Sequence, residues 1–235
     1  MYKVYSELYQ CEYFGIPHEE DYTISTEKIL SNITHDTDLV ILANPNSPMG
    51  EHKSFDEIRI LLDQGVPVLI DEAYIEFSER DSIINEINNY SNLFITRTFS
   101  KGFGAAGCRV GMVFSHKDNI ELISKFRQMY EISGVSMRYC EFLLDNYGIV
   151  DSYIREVKEE KNKIVTMLKN YEVIDSDCNW IHFNNEIDNI DTIRVLDKHK
   201  ALVKYCSIPH DDRKNWCRLT IQPEMSNFDF IKELL

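Results

Sequence analysis

The chain has 235 residues, of which 43% are hydrophobic and 27% are charged, as in an ordinary globular protein. Its net charge of −14 argues against nucleic-acid binding, because a phosphate backbone requires a basic protein surface. The apolar runs are too short to span a bilayer and the first residues lack a signal-peptide core, so we expect a cytoplasmic protein that does not enter a membrane.

The first half of the chain alternates short apolar runs with amphipathic segments. Between the second and third runs, Ser54 and Glu57 form a capping-box pattern, and the residues after Ser54 place their apolar side chains on one helical face. Strands separated by helices predict an α/β domain with a mainly parallel sheet. The predicted strands are residues 12–16, 39–43, 66–70, 93–96 and 110–114.

The second half of the chain is mainly helical before it becomes a smaller α+β unit. Helices are predicted at residues 119–132, 137–146 and 150–170, with a break at residues 133–136. The smaller unit combines strands near residues 180–183 and 218–221 with helices near residues 191–199 and 227–234. We therefore divide the chain into a large domain, residues 1–134, and a region of linking helices with a small C-terminal domain, residues 135–235.

The segment after the fourth predicted strand is rich in reactive and flexible residues. Lys101 follows Thr98 and Ser100, whose alternate positions let both hydroxyls face one side, and Arg109 could complete a phosphate cradle with them. A lysine attacks an aldehyde only when it is neutral. Burial or a nearby positive charge lowers the pKa of a lysine, and Arg109 is the candidate for that charge.

The same segment contains a match to the dinucleotide fingerprint G-x-G-x-x-G at residues 102–107. That fingerprint opens a helix that crosses to a parallel strand. Here the next strand begins near residue 110, which leaves no room for a crossover of about a dozen residues. We therefore reject a nicotinamide site. The cysteines and histidines lack ligand spacing, so the sequence predicts no metal site either.

Three further polar residues occupy positions where ligands of α/β proteins collect. Asp71 follows a predicted buried strand, Tyr74 comes three residues later, and Arg218 lies on a late strand. Taken singly, each has an ordinary structural explanation: a strand-end cap, a packed tyrosine and a surface salt-bridge arginine. The loop at residues 44–50, which contains Ser47, follows another strand and is rich in turn residues.

Together the segments NPNSPMG at 44–50, DEAYIEF at 71–77 and SKGFGAAGCRVG at 100–111 resemble the fold-type I pyridoxal phosphate (PLP) enzymes. Within them the chain is similar to the aminotransferase class I/II family, in its histidinol-phosphate aminotransferase-like branch. The resemblance implies that Lys101 forms a Schiff base with PLP, that Asp71 pairs with the pyridine nitrogen and that Tyr74 binds the ring oxygen O3′. It also implies that the phosphate is bound by Thr98, Ser100 and Arg109. The substrate carboxylate would be bound by Arg218.

The implied reaction is transfer of an amino group between an amino acid, phosphorylated or not, and a 2-oxo acid. The catalytic residues would be Lys101, Asp71 and Tyr74. Two alternatives remain open: decarboxylation of a phosphoamino acid on the same scaffold, and a non-catalytic fragment or assembly domain. A homodimer is implied by the resemblance alone.

The chain departs from the family pattern in two places. Ser47 stands where the family has the asparagine that binds O3′, so a shorter hydroxyl would make this cofactor contact. Met1 aligns just after the family's P-T-[YF]-x motif. We therefore expect an incomplete site that lacks the glycine–serine phosphate loop, two sheet strands and the aromatic that stacks on the pyridine ring. Whether these residues are active by themselves is left open.

Overall fold

A computed structural model describes residues 1–184, 198, 204–205 and 216–234. The first sheet has the order β1-β2-β3-β4, and its strands are Val40–Ala43, Val68–Asp71, Leu93–Thr98 and Gly111–Ser115. Strands β1, β2 and β3 are parallel, and β4 is antiparallel to β3. None of the described helices is long and apolar enough to cross a membrane.

Strands β1, β2 and the first half of β3 are runs of mainly apolar residues, and alternate residues of each are buried on one face of this sheet. Val40, Leu42 and their counterparts on β2 and β3 pack against Ile29 of α2 (Thr26–Asn32) and Ile58 of α3 (Phe55–Leu62). The predicted capping box is confirmed at the start of α3, where the Ser54 hydroxyl and the Glu57 side chain bond each other's backbone amides.

The second sheet is antiparallel and has the order β5-β6-β8-β7. Its strands are Glu172–Ile174 (β5), Trp180–Asn184 (β6), Lys204–Tyr205 (β7) and Trp216–Thr220 (β8). One face packs on the long helix α6 (Tyr147–Met167) through a core shared with α5 (Gly134–Asp145) and with α7 (Asp229–Leu234). The opposite face meets the loops of the first sheet.

Several predictions of local structure are confirmed. All four strands of the first sheet lie where the apolar runs placed them, within about two residues. The glycine run at residues 102–107 leads through a short 3₁₀ turn at Ala106–Cys108 into β4, which is antiparallel to β3. A dinucleotide-binding crossover is therefore absent from this segment, as we expected.

Other predictions are wrong. Residues 12–16 form no strand, because no described strand pairs with them, and the chain instead begins with helix α1 (Tyr2–Leu8). Helix α4 (Lys117–Ser124) stops well before residue 132, and Tyr130 has the left-handed φ of 62°, which a continuing helix excludes. The predicted break at 133–136 is the start of α5, where the Ser133 hydroxyl accepts from the Ser136 amide.

The structure ends α6 at Met167 and begins α7 at Asp229, close to the predicted bounds. The predicted helix at residues 191–199 lies outside the described residues, except for Lys198. The domain boundary near residue 134 stays a prediction.

Candidate active site

Asp71 is the last residue of β2 and is held by donors from three parts of the chain. The hydroxyl of its register partner Thr96 donates to Oδ1 over 3.2 Å, and the amide of Ala73 donates to the same oxygen over 3.2 Å. The hydroxyl of Tyr2 donates to Oδ2. Burial, and then the bond to Asp71, raises the pKa of Tyr2, so this phenol remains a donor at neutral pH. The carboxylate is therefore oriented before any ligand binds.

Lys101 lies just beyond the end of β3, the strand next to β2. Its Nζ atom is 4.9 Å from the ring centroid of Tyr74. The lysine side chain is exposed, so its amine is open to a ligand that approaches between the strand ends. The structure thus brings Asp71, Tyr74 and Lys101 to one edge of the sheet, as the sequence predicted.

Trp180 connects this edge to the second sheet. Its ring meets the Tyr74 ring edge-on, with centroids 4.6 Å apart and planes at 88°. Its Nε1 atom donates to the carbonyl of Pro48 over 2.9 Å, which ties β6 to the loop at residues 44–50. The Arg218 guanidinium carbon lies 5.0 Å from the centroid of the same indole ring. Arg218 and Tyr74 therefore contact the same indole ring.

The predicted phosphate ligands are only partly assembled. Thr98 and Ser100 share one turn, in which the Ser100 amide donates to the Thr98 hydroxyl over 3.1 Å. Arg109 is exposed, has a left-handed φ of 57° and donates to the carbonyl of Ala106 over 3.4 Å, not to either hydroxyl. Ser47 is exposed, and its side chain makes no hydrogen bond to the described residues.

A buried ionic layer lies behind the site. Glu72 is fully buried and accepts from Arg97 Nε over 2.9 Å and from the Ser82 hydroxyl over 2.7 Å. Glu76 packs against Gly102, because a Cβ atom added to this glycine would lie 2.8 Å from the Glu76 Cβ. Burial raises the pKa of Glu76 to about 7. Glu76 thus packs against the turn that carries Lys101.

Sequence reasoning missed three residues of the site: Tyr2, Thr96 and Trp180. Thr96 could have been found from parallel register, since it ends the strand beside Asp71. The contact of Trp180 with Tyr74 depends on the docking of the second sheet. Tyr2 carries no local signal, because 69 positions separate it from Asp71.

The side chains at this sheet edge have the chemistry of a cofactor site. An anionic carboxylate with fixed oxygens, a phenol and an exposed primary amine suit a cationic heteroaromatic ring that carries an aldehyde. The Nε atom of Arg218 is buried and has no partner among the described residues, which suits an anionic ligand. Within the same residues, no cluster of histidine, cysteine or acidic side chains could hold a metal ion.

Comparison with known sequences assigns the family. The model of the family "Aminotransferase class I and II" matches residues 1–230. The chain belongs to this family. Among curated members, it is 28% identical over 243 residues to histidinol-phosphate aminotransferase of Christiangramia forsetii, covering 99% of this chain and 67% of the relative. It is 30% identical over 234 residues to the Pyrococcus furiosus enzyme of the same name, covering 100% of this chain and 66% of the relative.

Solved structures of PLP-dependent enzymes confirm the predicted fold. Histidinol-phosphate aminotransferase from Clostridium acetobutylicum superposes with a TM-score of 0.88 at 24% identity, covering 99% of this chain and 73% of that one. L-Threonine-O-3-phosphate decarboxylase from Porphyromonas gingivalis gives 0.79 at 21% identity, covering 99% and 72%. In other curated relatives the shared segment is shorter, at 59% or 47% of the relative's length.

Proposed function

We propose that this chain carries the cofactor- and substrate-binding residues of a PLP-dependent aminotransferase. The reaction would transfer an amino group between an amino acid, phosphorylated or not, and a 2-oxo acid. The observation that carries the proposal is the meeting of Asp71, Tyr74 and Lys101 at one sheet edge, with Arg218 joined to them through Trp180. The family assignment and the histidinol-phosphate aminotransferases among its relatives support it.

Each residue has a role that its position allows. Asp71 would accept a hydrogen bond from the protonated pyridine nitrogen. Thr96 and Tyr2 already orient its carboxylate oxygens. When bound, PLP supplies an electron sink for the carbanion that forms at the substrate Cα. Lys101 would hold the cofactor through condensation of its amine with the aldehyde, which releases water, and its amine, once free again, would take the proton from the substrate Cα. Tyr74 would donate to the cofactor's ring oxygen.

The phosphate would be held by Thr98, Ser100 and Arg109. The two hydroxyls share one turn in the structure. Arg109 is exposed, and among the described residues its side chain bonds one carbonyl through a 3.4 Å contact, so it could turn to a phosphate at small cost. Ser47 would add a contact from the neighbouring loop. Arg218 would take the substrate carboxylate with its planar guanidinium group.

We also propose that the protein is a cytoplasmic homodimer. Phe126, Met129 and Tyr130 are 81%, 84% and 94% exposed, and apolar side chains this open favour burial against a second subunit. The described cysteines are free, which suits a reducing compartment.

The first experiment is borohydride reduction of the protein with PLP, followed by peptide mass mapping. A pyridoxyl adduct confined to Lys101 is expected, and the Lys101→Ala variant should lose both this adduct and half-transamination. Lys169→Ala changes an exposed lysine far along the chain and serves as the matched control. Adducts spread over surface lysines, or half-transamination retained by Lys101→Ala, would refute the proposal. Release of carbon dioxide without a 2-oxo product would favour the decarboxylase.

A further inference from the structure

Two cysteines from distant segments meet next to Arg109. Cys108 is the last residue of the 3₁₀ turn and is half-buried, whereas Cys140 lies on α5 and is buried. Cys140 is part of the apolar core around α6, and Cys108 packs against the same core. A hydrogen bond joins the two thiols, and both cysteines are free. The fold therefore holds two thiols as direct neighbours.

The two thiols differ in their access to solvent. Cys108 keeps part of its surface exposed, and the residues on either side of it, Gly107 and Arg109, are exposed. Nothing lies within 4 Å of the position that a Cβ atom would take at Gly107, so the approach to the turn is open on that side. Burial, and then the neighbouring Cys108, raises the pKa of the Cys140 thiol. A small oxidant therefore meets Cys108 first, and Cys140 reacts second.

This arrangement suits thiol–disulfide exchange in two steps. The thiolate of Cys108 attacks one sulfur of a low-molecular-weight disulfide, whose S–S bond breaks and releases one small thiolate. The thiolate of Cys140 then attacks the sulfur of Cys108, which forms the protein disulfide and releases the second small thiolate. Two protein thiols are oxidised and one small disulfide is reduced to two thiols. The two protons pass from the protein to the released thiolates.

We propose that Cys108 and Cys140 form a reversible disulfide that weakens the binding of PLP. The effect on PLP rests on the proposed function, in which Arg109 binds the cofactor phosphate. Arg109 directly follows Cys108, has a left-handed φ of 57° and must leave the carbonyl of Ala106 to reach a phosphate. The disulfide fastens residue 108 to α5 and so opposes this turn. Disulfides in a reducing compartment are usually transient and redox-sensing, so the free thiols are the resting state.

The first test treats the full chain with oxidised glutathione, alkylates the remaining thiols and maps the peptides by mass spectrometry without reduction. We expect a cross-linked peptide that joins Cys108 to Cys140 and disappears after treatment with a phosphine. Cys140→Ala should stop the reaction at a glutathione adduct on Cys108, and Cys108→Ser should prevent both products. Cys11→Ser changes an exposed cysteine and should leave the cross-link in place. Absence of the cross-link in the folded wild type would overturn the proposal.

The second test compares the Kd for PLP of the reduced and the oxidised chain by absorbance titration. Oxidation of the wild type should raise the Kd at least about tenfold, the effect of one lost charge-assisted hydrogen bond, and the phosphine should restore it. Cys108→Ser is the matched control, and its Kd should be the same before and after glutathione treatment. An equal Kd for the oxidised and reduced wild type would overturn the proposal.

Failure of the two proposals can be told apart. Absence of a Lys101 adduct in the reduced chain refutes the aminotransferase and, with it, the effect of the disulfide on PLP. A normal Lys101 adduct combined with a missing cross-link, or with an unchanged Kd after oxidation, refutes only the redox control.

Discussion

The amine of Lys101 lies 4.9 Å from the ring centroid of Tyr74, and the same ring meets Trp180 edge-on at 4.6 Å. One aromatic side chain thus contacts both the amine of Lys101, which follows β3, and the sheet that carries Arg218. Tyr74 has two separable parts, a ring that packs and a hydroxyl that would bind the cofactor. Variants can therefore test the packing and binding roles independently.

We expect Tyr74→Phe to keep the stability of the wild type and to weaken PLP binding about tenfold, because only the hydroxyl is lost. Tyr74→Ala should weaken PLP binding and also lower the free energy of unfolding by about 2–3 kcal/mol, since both ring contacts disappear. Absorbance titration with PLP and urea unfolding measure the two effects. Equal PLP affinity in Tyr74→Phe and the wild type would exclude the hydroxyl from the cofactor site.

Gly102 is required because Glu76 occupies the space beside it. A Cβ atom at Gly102 would lie 2.8 Å from the Glu76 Cβ, whereas nothing lies within 4 Å of the corresponding position at Gly107. We expect Gly102→Ala to lower the free energy of unfolding by about 1–3 kcal/mol and to displace the neighbouring Lys101. Gly107→Ala should change stability by less than about 0.5 kcal/mol. Urea unfolding of both variants measures the contrast, and equal losses would contradict it.

Tyr2 is expected to stabilise the fold through Asp71. Tyr2→Phe removes a hydrogen bond to a carboxylate and should lower the free energy of unfolding by about 1–2 kcal/mol. Tyr5→Phe is the matched control on the same helix, since that side chain is 53% exposed. If both variants unfold at the same urea concentration as the wild type, the Tyr2–Asp71 bond contributes nothing to stability.

Glu76 should make stability depend on pH. Burial raises its pKa from 4.5 to about 7, and the nearby Glu72 acts in the same direction while Arg97 opposes it. A carboxyl group whose pKa is higher in the folded state binds more protons there, so stability falls as pH rises between these two values. The protonated Glu76 carboxyl stabilises the folded state at low pH, and this contribution is lost as the pH rises through about 7.

Glu76→Gln should therefore remove this part of the pH dependence. The variant should match the wild type near pH 5 and exceed its free energy of unfolding by about 1–3 kcal/mol near pH 8. The measurement is urea unfolding at both pH values. Glu121→Gln, which changes an exposed carboxylate, should follow the wild-type profile. If the free energy of unfolding of Glu76→Gln changed with pH by as much as that of the wild type, the pKa of Glu76 would be the same in the folded and unfolded chain, which would contradict the prediction.

Most of the first sheet could be predicted from the sequence because its strands are short, mainly apolar runs. The runs that end at Ala43 and Asp71 are short, apolar and followed by turn residues, which is a local signal. The run at residues 12–16 carries the same signal and still forms no strand. A strand needs a hydrogen-bonded neighbour, and the neighbour is a property of the whole fold.

The sequence alone predicts which residues carry the chemistry. Asp71, Tyr74 and Lys101 follow strands in an order that places them at one sheet edge, and their motifs are local. The tertiary structure decided how they are held. Tyr2 reaches Asp71, Trp180 links Tyr74 to Arg218, and His182 is set beside Arg218, each through contacts between distant segments. Such contacts arise from sheet register and packing, which a local pattern does not encode.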